Sequence, residues 1–518
     1  EKEWVLMSFM NDMQKEMLEN FNQSITENGA IGYQTAGKNL LDINFAVASL
    51  RSVSEDEIIE RFKKVYFEDK ILAMKWLFYA RDIREGMGER RLFRVAMNFV
   101  ADYEPEIVKK LVPLVPEYGR FDDLWILLDN KNLCNSVLKY ITEQLDVDIT
   151  NYNNGKAISL LAKWLPSCNA SSEASKRYSK IIRNKLGMTE KTYRKMLSSL
   201  RKYIDVVEVK MSSKQWNMIN YENVPSRANL IYNDAFLRND EVRRKDFLDQ
   251  LRKGEAKINA STLYPHDIVH KYLGHYCFGY GYSLLPYDET IESLWVSLPN
   301  LVNDCANTIV VADGSGSMTV SVGRNTNISA LEVADAISIY FSERSSGDFK
   351  DKYITFSKHP RFVSFSKCKS LRDKISVALA HNEVASTNVE AVFDLILNTA
   401  IHNNTPQEEI PANILIISDM EFDHAVYGQV DASLFKNIED RYAKAGYKLP
   451  RLVFWNVNSR TNTIPIYENS LGVALVSGFS VNICKMVMSG KTDPFECLIE
   501  TLNSKRYQPV EEALCRIL

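Results

Sequence analysis

The sequence predicts a multi-domain protein in which an α-helical, HEAT-like repeat module precedes a doubly wound α/β domain. Three observations carry this. At 518 residues the chain is too long for a single hydrophobic core. From residue 41 to about 298, apolar residues recur at helical spacing between regularly placed Pro and Gly breaks. From residue 304 onward, short β-rich runs alternate with amphipathic helical stretches.

Taken in order, residues 1–40 close on the polar, Gly-containing stretch NQSITENGAIGYQTAGKN and read as an N-terminal arm. In KILAMKWLFYARDI, the residues Ile71, Leu72, Met74, Trp76, Leu77 and Tyr79 form a broad apolar surface. RRLFRVAMNFVADY repeats the pattern with Leu92, Phe93, Val95, Ala96 and Phe99. Breaks at Gly86, Gly88, Pro105, Pro113, Pro116, Gly155, Pro166, Gly187 and Pro225 leave segments of about one helix each, which suits stacked helical pairs. No clean repeated consensus accompanies them. Between 304 and 490, NTIVVAD, KYITFS, RFVSFS, ANILIISD, RLVFWNV and LGVALVS read as strands. SALEVADAISIYFSERS, NVEAVFDLILNTAIHN and ASLFKNIEDRYAKAG read as the helices between them. Near-continuous Val/Ile/Leu runs indicate a mainly parallel sheet covered on both faces. KYITFS and RFVSFS are so close that one antiparallel edge pair is expected. Residues 491–518 read as a C-terminal helix and tail.

Composition excludes several classes. Hydrophobic residues at 45% and charged residues at 25% are globular values, so collagen-like, mucin-like and wholly disordered readings drop out. A net charge of −3 gives no global field that would attract nucleic acid or a membrane, so such a role has to come from a local patch. Apolar runs such as Ile414 to Ile417 and Val473 to Val476 are far below the ~18 residues of a membrane span, and no membrane partner is expected. The eight cysteines contain no C-x-x-C pair, and EKEWVLMSFM carries no secretory signal pattern. A cytoplasmic protein with reduced thiols is expected, although the missing initiator Met leaves room for a removed leader.

The sharpest chemical signal is Asp313, Ser315 and Ser317 in VVADGSGSM, at the end of an apolar strand. The D-x-S-x-S spacing alone is weak; its position strengthens it, because residues two apart point to one side of a strand. Gly314 and Gly316 allow a sharp turn. An all-oxygen set with one or two carboxylates suits a hard cation such as Mg²⁺. Thr387, in the loop ASTN, and Asp419, directly after ANILIIS, fall where a parallel sheet gathers the carboxyl ends of its strands. Serving only as turn and helix caps is the plainer alternative for these residues.

In these positions the chain resembles a von Willebrand factor A domain with a metal-ion-dependent adhesion site. The resemblance implies that Asp313, Ser315 and Ser317 match the family's D-x-S-x-S loop, Thr387 its second-loop threonine and Asp419 its third-loop aspartate. It further implies a bound Mg²⁺ that takes a partner protein's carboxylate as its remaining ligand. RDIREGMGERR, QWNMINYENVPSRANLIYNDAFLRND and GEAKINASTLYPHDIVH are similar to an uncharacterised family that pairs a TROVE-like helical module with such a domain. That architecture resembles the Ro autoantigen, an RNA-binding ribonucleoprotein whose helical repeats close into a ring.

Independently of any family, residues 176–214 hold twelve Lys/Arg against Glu190, Asp205 and Glu208, a local balance of +9. Lys176, Arg177, Lys180, Arg183, Lys185, Lys191, Arg194, Lys195, Arg201 and Lys202 are the candidate RNA-binding cations. Lys176, Lys180 and Arg183 share a helical side, as do Lys191, Arg194 and Lys195. Tyr178, Tyr193 and Tyr203 are interleaved and offer rings for stacking on unpaired bases. A solvated basic face is the alternative reading.

HDIVH places His266 and His270 one helical turn apart, but with Asp267 where a zinc protease carries Glu, so structural histidines are expected. No phosphate loop, nucleophile elbow or dinucleotide fingerprint is present. The leading expectation is a non-enzymatic RNA-binding scaffold with a Mg²⁺-dependent protein-docking site. A protein-only adaptor for an acidic client comes second. A metal-dependent nuclease, suggested by the crowding of Asp419, Glu421 and Asp423, comes third.

Overall fold

The computed structural model describes residues 21–277, 281–302, 307–323, 326–356, 360–382, 388–423, 434–465, 474–480, 482, 493–515 and 517. The chain divides into two compact units. One, formed within Glu1–Ser54, Tyr264–Asp288 and Leu298–Thr501, contains all the described strands. The other, Glu55–Leu263, Glu289–Ser297 and Leu502–Leu518, is helical. No helix among the described residues is long and apolar enough to cross a membrane.

In the helical unit, Lys70–Arg81 and Arg90–Tyr103 form helices where the apolar spacing places them. Asp69 caps the first by accepting from Leu72 N at 2.8 Å. Both pack against the helix Glu55–Glu68, with Phe62, Trp76, Phe78 and Phe93 fully buried. The segment RDIREGMGERR is a polar clamp: Arg81, 2% exposed, donates twice to Asp123, which also receives Arg94 Nε at 2.8 Å. These cations hold the Asp123 carboxyl below its usual range against the opposing effect of burial.

The α/β unit carries a short hairpin, β1 (Gln23–Ile25) and β2 (Ile31–Tyr33), and a second, β3 (Leu273–Cys277) and β4 (Gly281–Leu284). Its main sheet has six strands: β5 (Thr308–Asp313), β6 (Lys352–Phe356), β7 (Arg361–Ser364), β8 (Asn413–Ser418), β9 (Arg451–Asn456) and β10 (Ala474–Ser477). The spatial order is β10-β9-β8-β5-β6-β7, parallel throughout except for the antiparallel edge pair β6–β7 that the sequence predicts. Ile309, Val311, Ile414, Ile416, Leu452 and Phe454 face a core shared with the helices Glu390–Asn403 and Leu434–Lys444. The alternate residues Val310, Ala312, Leu415, Ile417, Val453 and Trp455 are equally buried, and the helix Ala330–Arg344 packs against β5, β6 and β8. Burial on both faces is why these strands are written as unbroken apolar runs.

The α/β unit reaches further than residues 304–490. The stretch 21–54, of which the sequence reading takes all but the last part as an arm, is built into it: Leu41 and Phe45 of the helix Asn39–Phe45 lie in the sheet's core. Tyr33 N and O pair with Ile464 O and N, each at 2.8 Å. Segment 264–288, read as part of the helical module, also falls in this unit, tied by Tyr282 and His270 to Glu332. The reason is physical: three-residue strands and a seven-residue helix show too few periods to be read from sequence, and only long-range pairing stabilises them.

Candidate functional site

Between β5 and β8 the connections diverge, that of β5 leading to β6 on one side and that of β8 to β9 on the other. In an open α/β sheet, a crevice forms at the carboxyl ends of such a strand pair. Asp313 is the last residue of β5 and Asp419 follows β8 directly. Both are 1% exposed, and Ser315 is fully buried.

A continuous set of polar contacts joins them. Ser315 N donates to Asp313 Oδ1 at 2.9 Å, and Ser418 Oγ donates to Asp313 Oδ2 at 2.6 Å. The hydroxyls of Ser315 and Ser317 lie 2.9 Å apart, and the Ser317 hydroxyl stands beside the Asp419 carboxylate, where it works against the upward push of burial. Four of the five residues picked out from the sequence are thus brought together, and caps alone do not describe them. Thr387 lies outside the described residues; the helix its loop leads into, Glu390–Asn403, is present. Neither Gly314 nor Gly316 uses a positive φ; the sharp turn falls on Met420, at φ 64°. Left-handed backbone costs a non-glycine residue about 1–2 kcal/mol, and here it lets Glu421 N donate to Asp419 Oδ1 at 3.2 Å.

The electrostatics are those of a site short of cations. Burial pushes both the Asp313 and Asp419 carboxyls up; Asp423 adds to the first and Asp313 to the second. Among the described residues Asp313 has no ion-pair partner, and Asp419 meets only Arg460 Nη2, at 3.4 Å. Two carboxylates and two hydroxyls, buried together and under-neutralised, form an oxygen donor set that fits a hard divalent cation.

Three residues of the site carried no sequence signal for their role. Ser418 orients Asp313, Arg460 borders Asp419, and Glu421 organises the surrounding loops. Glu421 is fully buried and accepts from Arg460 N (2.8 Å), Thr461 N (2.9 Å) and Glu27 N (2.9 Å), as well as from the Ser459 and Thr461 hydroxyls. The carboxylate crowding that suggests a nuclease is therefore, at Glu421, loop architecture.

The basic stretch occupies the helices Glu173–Lys185 and Glu190–Tyr203 and the short helix Val207–Ser212 that follows them. Lys176, Arg177, Lys180, Lys185, Lys191, Arg194, Lys195 and Lys202 are exposed, and Arg183 is half-buried. Arg177 pairs with Asp129 at 2.7 Å and Lys176 with Glu173 at 2.6 Å. Arg201 belongs to the scaffold, donating to the carbonyls of Ala162 and Leu165. Tyr193 is fully buried with its hydroxyl on Pro166 O, so it offers no ring for stacking; Tyr203 remains exposed.

His266 and His270 engage different partners. His266 stacks on Tyr264 and meets Phe479 edge-on, whereas His270 Nδ1 lies 2.6 Å from Glu332 Oε2. That hydrogen bond raises the His270 pKa against the effect of burial. A raised folded-state pKa stabilises fully below the unfolded value of about 6.5 and fades as pH rises through the folded one. His270→Gln should therefore lower the unfolding midpoint at pH 6, with the gap to wild type closing by pH 9 in thermal melts.

Residues 307–512, which take in the sheet and the site, match a family described as a domain of unknown function, DUF7788; residues 170–294 match another, DUF2828. Uncharacterized protein L728 of Acanthamoeba polyphaga mimivirus is 31% identical over 528 aligned residues, covering 94% of this chain and 89% of that protein. The chain belongs to this family. The similarity runs through the helical and the α/β parts alike.

Proposed function

We propose that this protein is a non-enzymatic scaffold whose α/β unit, of von Willebrand A type, docks a partner protein through Mg²⁺. In this reading its HEAT-like, TROVE-like helical unit holds RNA, as in Ro-like ribonucleoproteins. The observation that carries the docking half is the contact chain Asp313–Ser315–Ser317–Asp419 at the sheet's switch point. Those four residues, with Thr387, would hold the ion. When bound, it supplies a Lewis-acidic position for an anionic oxygen of the partner. A site whose ligands are partly neutral hydroxyls leaves the metal enough charge to hold a partner's carboxylate. Glu421, with its oxygens engaged by loop donors, does not serve as a base, which disfavours the nuclease reading.

The RNA half is supported by the exposed lysines of the helices Glu173–Lys185 and Glu190–Tyr203. If they contact phosphates, affinity for a single strand falls with salt at a log-log slope of about −0.7 per contact. Replacing Lys176, Lys180, Lys191 and Lys195 together by Glu should weaken RNA binding and flatten that slope in filter-binding assays, while Mg²⁺ binding stays unchanged. Exposed substitutions of this kind cost little stability, about 0.5 kcal/mol or less each. A folded variant with wild-type RNA affinity would favour the protein-only adaptor.

A further inference from the structure

Glu27 stands at the rim of the site, held by the same guanidinium nitrogen that touches Asp419. Arg460 Nη2 lies 2.7 Å from Glu27 Oε2 and 3.4 Å from Asp419 Oδ2. The Asp419 side chain is 2% exposed and that of Glu27 is 48% exposed, so the outer carboxylate is open to solvent while the inner one is not.

The segment carrying Glu27 is seated along the site's own loops. Thr26 Oγ1 donates to Phe422 O at 2.7 Å, Glu27 N to Glu421 Oε2 at 2.9 Å, and Asn28 Nδ2 to Glu421 O at 2.6 Å. Gly29 bridges to Asp423, and Tyr33 pairs with Ile464. These contacts anchor backbone and neighbouring side chains, whereas the Glu27 carboxylate itself has Arg460 as its ion-pair partner. The resident segment therefore displays the chemistry that fits here: a tight hairpin turn, closed by Gly29 N donating to Thr26 O at 3.1 Å, that directs one carboxylate at a guanidinium beside the candidate metal position.

We propose that Glu27 is a built-in stand-in for an acidic partner segment. Arg460 is the anchor for the incoming carboxylate, and Glu27 occupies that anchor until the partner displaces it. Displacement leaves the backbone of the hairpin in place, because its anchors do not involve the Glu27 side chain. The proposal rests on the reading of Asp313, Ser315, Ser317 and Asp419 as a Mg²⁺ site.

The test compares wild type, Glu27→Gln, Arg460→Gln and the double variant. Each is titrated with Mg²⁺ by calorimetry, and with a fluorescent peptide of alternating Thr and Glu by anisotropy, in Mg²⁺ and in EDTA. Glu27→Gln should bind the peptide at least tenfold more tightly than wild type in Mg²⁺, and the gain should vanish in the double variant. Equal peptide binding by wild type and Glu27→Gln, or a gain that survives loss of Arg460, would overturn the proposal. An Arg460-dependent gain of equal size in EDTA, with no Mg²⁺ uptake by any variant, would uphold the stand-in and overturn the metal reading. Mg²⁺ uptake by all four proteins without a gain in Glu27→Gln would do the reverse.

Discussion

Asp313→Asn should abolish Mg²⁺ uptake at the site and, in the absence of metal, make the α/β unit more stable than wild type. The two effects have one cause. Asp313 and Asp419 are buried without enough cationic charge, so their carboxyls are pushed up, to about 6 and about 7. The folded state then binds protons that the unfolded chain, with carboxyls near 4, has already released. Stability therefore falls as pH rises from about 4 towards 7, and stays low above it unless a cation enters. A neutral amide at position 313 removes one buried charge and relieves its partner. It keeps an oxygen for Ser315 N, which now donates at 2.9 Å. A displacement of about two pH units corresponds to a gain of about 2–3 kcal/mol at pH 7.5, read as a higher urea midpoint. Metal binding moves the opposite way: wild-type affinity for Mg²⁺ should rise with pH between about 6 and 7 as protons leave the two carboxyls, then level off. Calorimetry in buffers of different ionisation heat measures that proton release. A variant that loses the ion and also loses stability would mean that Asp313 is a structural carboxylate.

This pairing of lost binding with gained stability separates a site residue from a scaffold residue, and the sequence alone does not always make the separation. Strands β5, β8 and β9 were legible because both faces are buried and nearly every position is apolar. Asp313, Ser315, Ser317 and Asp419 were legible because strand ends in a parallel sheet converge. Glu421 was not: its acceptor role depends on Glu27 and on residues 459–461, hundreds and tens of positions away. Charge and aromaticity without period misplace Arg201 and Tyr193. Tyr193, Leu197 and Leu200 stand at i, i+4 and i+7, the spacing of a buried stripe, and all three are buried. The polar, Gly-containing composition of residues 22–39 suggests that 1–40 is an arm, whereas the backbone at Gly29 and Tyr33 pairs with Asp423 and Ile464, more than 380 residues away.

Glu421→Ala should be the most destabilising single change in the α/β unit's loop system. The side chain is fully buried and accepts three backbone N–H groups, from Glu27, Arg460 and Thr461, at 2.8–2.9 Å. It also accepts the hydroxyls of Ser459, at 3.3 Å, and Thr461, at 3.0 Å. Alanine leaves those donors without an acceptor, and each buried unsatisfied donor costs about 1–3 kcal/mol before relaxation. Because the loops can move outward to reach water, a net loss of about 3–5 kcal/mol is expected, or roughly 10 °C in the transition of this unit. Glu421→Gln isolates the chemistry from the cavity: it preserves shape but turns an NH₂ group towards donors, so it should still lose about 2 kcal/mol. Hydrogen exchange supplies the residue-level check. Amides 27, 460 and 461 should lose protection together in both variants, while those of β5 and β8 keep theirs, since the strand ladder does not depend on Glu421. Protection lost at 460 and 461 but kept at 27 would mean that the hairpin's seat is made by Thr26 and Asn28, with Glu421 serving the β9 loop alone.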